Sequence, residues 1–221
     1  MCPRKYDLGR RRAATEATRT RILEATRALL GGKDDPAEFS MESVAAKAGV
    51  ARMTVYNQFR SEAGLLEALA DHLANRGGMQ HLREAFMEPR PDYALRKFVA
   101  TFVGFWASDR VLLRRLRAYG VLLPALYRGI RDRDEWRREG ARNLIAKIGV
   151  RARPALSGGD DPLVELLTAM TSFETFDALC SEQQSPQEVA RLLSESLIAL
   201  WGTPPRTSRA DVRPVRRLRR R

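Results

Sequence analysis

The stretch AAKAGVARMTVYNQF, residues 45–59, joins two short helical segments at a single glycine. The alanines of the first segment are small enough to let two helices approach closely. Gly49 can adopt the positive φ that a sharp corner requires. In the second segment Val55 and Phe59 are four residues apart, so both face the core. The stretch therefore predicts a helix-turn-helix whose second helix has one open side.

The open side of the second helix carries side chains that can read the edges of DNA bases. Asparagine and glutamine can bond adenine and arginine can bond guanine, while methionine or the methyl group of threonine can touch the methyl group of thymine. The residues of these types on the open side are Arg52, Met53, Thr54, Asn57 and Gln58. The pattern thus favours contact with a major groove.

The rest of the chain also shows helical spacing of apolar residues, which predicts an all-α fold. Ser40, Ser61 and Asp161 are expected to begin helices as N-caps, and Ser185 with Glu188 forms a capping box. The uncharged run FVATFVGFW, 98–106, predicts a helix that is buried all round. The expected helices span residues 10–30, 40–47, 52–58, 61–75, 98–106, 109–119, 121–152, 162–180 and 186–201.

The net charge of +12 lies at the two ends of the chain. Residues 1–21 carry seven Lys/Arg against two acidic residues, and residues 203–221 carry eight against one. Basic ends suit a polyanion, although a solvated tail is an equal alternative for the C-terminal one. Within the neutral middle, 110–153 is basic and 154–202 is acidic, which predicts pairing within or between subunits.

Three segments together resemble the N-terminal domain of TetR-family transcriptional regulators across residues 19–70. They are RILEATRALL (21–30), FSMESVAAKAGVARMTVYNQF (39–59) and LLEAL (65–69). The resemblance implies an N-terminal helix-turn-helix DNA-binding domain and a larger C-terminal helical domain for ligand binding and dimerisation. The expected divisions are a disordered basic arm at 1–9, the DNA-binding domain at 10–76, the ligand and dimerisation domain at 77–202, and a disordered basic tail at 203–221.

The resemblance also implies which residues contact DNA. Tyr56 matches a phosphate-contacting tyrosine, and the arm GRRR (9–12) is expected to reach the DNA backbone or an adjacent minor groove. Two positions depart from the pattern: Ala51 lacks a capping side chain, and Glu62 replaces a phosphate-binding lysine. The expected DNA-binding set is Arg10, Arg11, Arg12, Ser40, Met41, Arg52, Met53, Thr54, Tyr56, Asn57, Gln58 and Arg60.

The C-terminal half contains aromatic residues that could line a ligand site or simply form a core. Glu174, between Phe173 and Phe176, could orient a cationic or hydroxylated ligand or be exposed to solvent. The helices 162–180 and 186–201 resemble the dimerising pair of the family, and a two-fold dimer implies a palindromic operator. The expected ligand-binding set is Phe102, Phe105, Trp106, Tyr119, Met170, Phe173 and Glu174.

Other classes of protein receive less support from the sequence. His72 and His81 are nine residues apart and make no i,i+4 metal pair, the two cysteines form no metal spacing, and nucleotide-binding motifs are absent, so no enzyme, metal or cofactor is expected. No apolar run approaches the roughly 20 residues of a membrane span, and a cytoplasmic location is expected. The resemblance implies a repressor released by a small molecule. A ligand-responsive activator, a helical enzyme and a basic membrane-surface protein that uses RRLRRR are the alternatives.

Overall fold

The computed structural model describes residues 8–32, 39–149, 162–181 and 183–201, and every regular element in these ranges is helical. The predicted all-α class is therefore confirmed. The predicted tail, the Asp161 cap and most of the predicted arm lie outside the described residues. The helices are α1 (Leu8–Gly31), α2 (Met41–Ala48), α3 (Arg52–Phe59), α4 (Glu62–Arg76), α5 (Leu82–Met87), α6 (Pro91–Ser108), α7 (Arg110–Leu122), α8 (Pro124–Ile148), α9 (Pro162–Met170), α10 (Phe173–Leu179) and α11 (Pro186–Trp201), with a 3₁₀ turn at Met79–His81.

The first four helices share one small core. Helix α1 packs against α2 and α4, and α3 packs against α2 and α4. Each helix contributes fully buried apolar side chains, such as Ile22 from α1, Val44 from α2, Val55 from α3 and Leu69 from α4. Because burying an aliphatic side chain of this size contributes about 1.5–3 kcal/mol, this core fixes the orientation of α3.

Helix α6 is the central helix of the C-terminal half and packs against α5, α8, α10 and α11. It begins at Pro91, earlier than the apolar run that predicted it. The expectation that it is buried all round is wrong, since Ala100 and Gly104 are exposed. These small residues, with Lys97 and Glu84, line an open cleft of about 300 Å³.

The single helix expected over 162–180 is wrong, because the chain breaks into α9 and α10 at Thr171 and Ser172. The indole Nε1 of Trp106 donates to the carbonyl oxygen of Thr171 at 2.9 Å. The hydroxyl of Ser172 accepts from the backbone N–H of Thr175 at 3.1 Å and so caps α10. Hydroxyl side chains compete with the helix for backbone partners, which explains the break at this pair.

Helix α11 begins at the predicted capping box. The backbone N–H of Ser185 donates to the Glu188 carboxylate at 2.7 Å, and the backbone N–H of Glu188 donates to the Ser185 hydroxyl at 3.3 Å. Val189, Leu193 and Leu197 of the predicted stripe are buried against the core. The other two members of the stripe, Leu192 and Leu200, are exposed, so they do not pack in the core of the subunit.

The basic and acidic halves of the middle region pair within one subunit. Arg110 and Arg114 each lie 2.6 Å from Oδ1 of Asp177, and Arg138 pairs with Glu165. Hydrogen bonds from Arg114 and then Arg110 hold the pKa of Asp177 below its ordinary value. The intramolecular alternative is thus confirmed for these pairs, which tie α7 and α8 to α9 and α10.

Helix α7 also holds the end of α1. Arg115 donates to the carbonyl oxygen of Leu30 and, at 2.7 Å, to that of Gly32. Arg27 forms a two-point pair with Asp109, the residue before α7, with distances of 3.0 and 2.6 Å. A displacement of α7 would therefore act directly on the longest helix of the N-terminal unit.

Candidate nucleic-acid interface

The corner between α2 and α3 is built by a capped start and a left-handed end of α2. The backbone N–H of Ser43 donates to the Ser40 hydroxyl at 3.1 Å, and the backbone N–H of Ser40 donates to the Ser43 hydroxyl at 3.0 Å. Gly49 has φ 63° and ψ 40°, and Val50 N–H donates to Ala45 at 3.0 Å. No atom lies within 4 Å of where a Cβ of Gly49 would stand, so the backbone conformation alone requires the glycine.

Helix α3 buries one side and exposes the other, as the sequence predicted. Val55 and Phe59 are buried, and the guanidinium of Arg19 lies 4.5 Å from the Phe59 ring centroid. Met53 is 64% exposed, and Asn57 is exposed one turn away. The remaining predicted readers are Arg52, which is exposed, and Thr54 and Gln58, which are half-buried. Ala51 makes no side-chain cap bond, in agreement with the expected departure.

Tyr56 and Arg52 form one unit on the surface of α3. The guanidinium of Arg52 donates to the Tyr56 hydroxyl at 3.3 Å, lies 5.2 Å from the ring centroid and pairs with Glu42 of α2. The bond to Tyr56, followed by Glu42, raises the pKa of Arg52 above its ordinary value. Arg52 and Glu42 are both exposed, and exposed ion pairs contribute little to stability, so phosphate or a base edge can displace Glu42 from Arg52.

The turn between α3 and α4 places Arg60 in a strained conformation. Arg60 has φ 68° and ψ −42°, and is the one non-glycine residue in the described ranges with a positive φ. Ser61 N–H donates to Phe59 across it at 2.8 Å, which makes a three-residue γ-turn of the rare positive-φ type. A Cβ on Gly64 would lie 2.3 Å from the Phe59 carbonyl oxygen, so only glycine permits this close approach.

One of the predicted DNA-contacting residues is corrected by the structure. Met41 is 4% exposed, so its side chain belongs to the core and cannot reach DNA. Gly9 to Arg12 lie in the first turns of α1, which begins two residues before the predicted helix over 10–30. Arg11 and Arg12 are exposed on that helix. Helical propensity of the arginine and alanine run explains why the helix begins so early.

The structure brings together four of the predicted ligand-binding residues. Phe105 and Trp106 have ring centroids 4.6 Å apart, and Trp106 and Phe173 have centroids 5.6 Å apart with near-perpendicular planes. Phe102 stacks between Phe98 and Trp106 at 5.0 and 6.5 Å. All of these side chains are buried, as either a core or a ligand site would require.

Three other predicted residues lie elsewhere or make other contacts. Tyr119 packs edge-on against Phe39 at a centroid distance of 6.0 Å and so faces the DNA-binding unit. Glu174 is 65% exposed and pairs with Arg117 at 2.9 Å, so the exposed alternative is the one observed. Met170 is half-buried against the core. The aromatic cluster therefore contains no acidic group from the predicted set.

Sequence reasoning missed three charged residues beside the aromatic cluster. Arg117 lies 5.5 Å from the ring centroids of both Trp106 and Phe173 and donates to Asp134 at 3.0 Å. Arg137 follows on α8 and is buried. The sequence did contain a pattern that places Arg137 inside. Arg137 lies at a position of the inward stripe of α8, whose other members are Leu126, Ile130, Ala141 and Leu144. It was hidden among thirteen basic residues in 110–153.

A two-helix corner with polar side chains exposed on one face of the second helix is the arrangement by which helix-turn-helix proteins bind DNA. In such proteins the second helix enters the major groove. No helix among the described residues has the length and apolar character needed to cross a bilayer. Within the same ranges, no cluster of three or more His, Cys, Asp or Glu is placed to hold a metal ion.

Comparisons with known proteins extend this class to a family. The sequence model of the family described as bacterial regulatory proteins, tetR family, matches residues 22–69. Residues 22–69 are therefore similar to the N-terminal domain of that family, and the resemblance drawn from the sequence is confirmed for this segment. The match supports a DNA-binding transcriptional regulator. No curated protein sequence matches the chain.

Solved structures share the whole fold at low sequence identity. A protein from Rhodococcus sp. assigned to the TetR family of transcriptional regulators is 18% identical, with a TM-score of 0.66 over 84% of this chain and 100% of that one. NalD of Pseudomonas aeruginosa, the secondary repressor of the MexAB-OprM multidrug efflux pump, is 21% identical, with a TM-score of 0.62 over 86% and 100%. The multidrug binding protein EbrR, in complex with imidazole, is 22% identical, with a TM-score of 0.61 over 93% and 100%.

Proposed function

We propose that the protein is a cytoplasmic homodimeric repressor that binds a palindromic operator and releases it when a small molecule binds the C-terminal domain. The observation that carries this proposal is that α3 exposes one face to solvent while its opposite face is buried against α2 and α4. The similarity to NalD, which is a repressor, and to EbrR, which is a multidrug binding protein, supports the direction of control and the ligand response.

In this proposal the exposed residues of α3 enter a major groove. Asn57 and Gln58 would bond adenine edges, Arg52 would bond guanine, and Met53 and Thr54 would contact thymine methyl groups. Reaching a base requires Arg52 to leave Glu42 and Tyr56, which costs little because that pair is exposed.

The residues around α3 would hold the DNA backbone. Ser40 lies at the N-terminus of α2, where backbone N–H groups attract phosphate. Tyr56 and Arg60 flank the base-reading residues, and Arg11 and Arg12 would reach phosphates from the first turns of α1. Arg10 lies on the same turns of helix. Of the two contacts expected for GRRR, this proposal chooses the DNA backbone over the minor groove, and Arg60 supplies the charge that Glu62 cannot.

The proposed dimer uses α9, α10 and α11. Leu192 and Leu200 are exposed and eight residues apart, so they lie on the same side of α11. Half-buried Leu166, Met170 and Ile198 add apolar surface from the same pair of segments. Covering these side chains with a second copy would remove them from water. A two-fold axis there would set two copies of α3 about 34 Å apart, one helical turn of DNA.

The proposed coupling between the two halves runs through α7. One side of this helix carries Arg117, which lies against Trp106 and Phe173. The other side carries Arg115, which holds the C-terminal carbonyls of α1, while Asp109 before α7 pairs with Arg27. A ligand that shifts α7 would displace α1 and so change the distance between the two copies of α3 in the dimer. Such control requires the ligand to bind the two conformations with different affinity.

The division of the chain follows from these contacts. We propose a DNA-binding domain from Leu8, two residues earlier than residues 10–76 predicted, through Arg76, and a ligand and dimerisation domain over residues 77–202. Footprinting on the DNA upstream of the protein's own gene tests the proposal. A symmetric protected site and repression of that promoter in purified transcription are expected. An asymmetric site, or stimulated transcription, would contradict the dimer or the repressor respectively.

A further inference from the structure

A buried arginine next to Asp134, the residue that pairs with Arg117, has donors that the described residues do not satisfy. Arg137 is 7% exposed, and its Nε and Nη1 find no hydrogen-bond acceptor among the described residues. Oδ1 of Asp134 lies 3.2 Å from Nη1, but the direction of the N–H bond misses it. Asp134 already accepts from Arg117, at 3.0 Å through Oδ1 and 3.4 Å through Oδ2.

This arrangement opposes the stability of the free protein. A guanidinium taken out of water is costly unless its N–H groups find acceptors. Burial lowers the pKa of Arg137, against the attraction of Asp134. Because Leu126, Ala141 and Leu144 continue the same inward stripe, an apolar residue at 137 would complete an ordinary helix face. Among the described residues, Asp134 is its ion-pair partner and is shared with Arg117.

The surroundings of Arg137 combine charge, aromatic surface and a second unused polar group. Arg117 pairs with Asp134 and lies against the rings of Trp106 and Phe173. Thr168 of α9 has a buried hydroxyl without a hydrogen-bond partner among the described residues. It lies one turn after Glu165, the partner of Arg138, on the helix that packs against α8. Arg117 also pairs with the exposed Glu174, so the charged groups around Arg137 extend to the protein surface.

We propose that Arg137 anchors a carboxylate-bearing effector whose apolar body rests against Trp106 and Phe173. A carboxylate binds a guanidinium in a two-point pair through the Nε–Nη2 edge or the Nη1–Nη2 edge, so it would satisfy one of the two unused donors of Arg137 together with Nη2. The buried charge is positive, whereas Glu174 alone had suggested a cationic or hydroxylated ligand. The inference rests on the proposed ligand-responsive function and names the chemical class of the effector.

The test compares small carboxylates with their uncharged amides on the full-length protein. Benzoate, 1-naphthoate and octanoate are each paired with the matching amide, and binding is measured by calorimetry and by the shift in Tm. At least one carboxylate is expected to bind about tenfold or more tightly than its amide, the effect of a charge-assisted hydrogen bond formed in a buried site. If no carboxylate is preferred over its amide, the inference is wrong.

Substitution of the anchor gives a second, independent readout. Arg137→Met should abolish the preference for the carboxylate, while Arg131→Met, an exposed arginine on the same helix, should retain it. Arg137→Met should also leave the Tm of the free protein unchanged or raised, because replacing a poorly paired buried charge by an apolar chain is often neutral or stabilising. Arg137→Lys keeps a positive charge and should retain part of the preference. Undiminished carboxylate binding by Arg137→Met would overturn the proposal.

Operator binding separates this inference from the proposed function. If a carboxylate binds through Arg137 but leaves operator affinity unchanged, the effector site stands and the ligand-controlled repressor fails. If neutral or cationic compounds release the operator while carboxylates do not bind, the repressor stands and the inference about Arg137 fails.

Discussion

Arg60 is predicted to combine backbone strain with a role in DNA binding, and the two can be separated by substitution. Its φ of 68° and ψ of −42° in a γ-turn would cost about 1–3 kcal/mol for a residue with a Cβ. Arg60→Gly removes this strain but adds freedom to the unfolded chain, worth about 0.5–1 kcal/mol. The net stabilisation is therefore about 0.5–2 kcal/mol, which corresponds to about 1–8 °C in Tm for a chain of this length.

Arg60→Ala provides the matched comparison, because it removes the charge but keeps the Cβ and the strain. Thermal unfolding should place Arg60→Gly above Arg60→Ala by this margin. If the glycine variant is no more stable than the alanine variant, the reasoning about strain is refuted.

Both Arg60 variants should lose the same phosphate contact. Each lost contact lowers the slope of log affinity against log salt by about 0.9, so the proposed dimer would lose about 1.8. Fluorescence anisotropy of a labelled operator between low and moderate salt measures this slope. Arg83→Ala, an exposed arginine on α5, is the control and should leave the slope unchanged. An unchanged slope for both Arg60 variants would remove Arg60 from the interface.

Three further predictions concern the corner, the pH dependence and the coupling. Gly49→Ala should cost about 1 kcal/mol through its positive φ alone, whereas Gly64→Ala should cost more, because its Cβ meets the Phe59 carbonyl at 2.3 Å; urea unfolding of both variants measures the difference. Hydrogen bonds from Arg90, then Lys97, lower the pKa of Glu88 from 4.5 to about 2, so its contribution is present above pH 4.5 and is lost as the pH falls toward 2. Glu88→Gln should therefore lower Tm at pH 7 and reduce the fall of Tm between pH 5 and pH 2.5; equal pH profiles for the two proteins would contradict this. Arg115→Met should leave operator affinity without ligand largely unchanged but bring the affinity ratio without and with an effector, about 5- to 150-fold for coupled sites, toward one.

The corner and the exposed face of α3 could be predicted from the sequence because their causes are local. Gly49 predicts a residue in the left-handed conformation, Ser40 predicts a helix N-cap, and the spacing of Val55 and Phe59 predicts the inward side of α3. Each signal lies within a few residues of its effect, so no distant contact is needed to read it. Which side chains touch DNA remains a prediction even here.

The break between α9 and α10 depends on a contact between distant segments, whereas the conformation of Arg60 depends on the close approach of Phe59 and Gly64. The γ-turn arises where the Phe59 carbonyl passes over Gly64, and nothing in the letters FRSEAG specifies that approach. The break at Thr171 is held by the indole of Trp106, which is 65 residues away in sequence. Helical periodicity continues through Thr171 and Ser172, so it could not predict that break. The predicted helix boundary at Ser61 did not specify the conformation of Arg60.

Burial of charge was the other feature that the sequence did not reveal. Glu174 looked enclosed because aromatic residues flank it, yet a helix turns by about 100° per residue and places it outside. Arg137 looked like one arginine among many, yet it occupies a stripe position on α8. Reading the inward stripe of each helix for charged residues, rather than the outward face, would have found it.

Sequence-specific binding by α3 can be measured directly by titrating a duplex from the promoter of the protein's own gene against a scrambled duplex of equal length. The wild-type protein should prefer the promoter duplex by about a thousandfold or more at physiological salt. Asn57→Ala should reduce that preference by about 1–3 kcal/mol per half-site, while Asn143→Ala, an exposed asparagine on α8, should not change it. Equal affinity of the wild-type protein for both duplexes, or full preference retained by Asn57→Ala, would contradict the assignment of α3 as the reading helix.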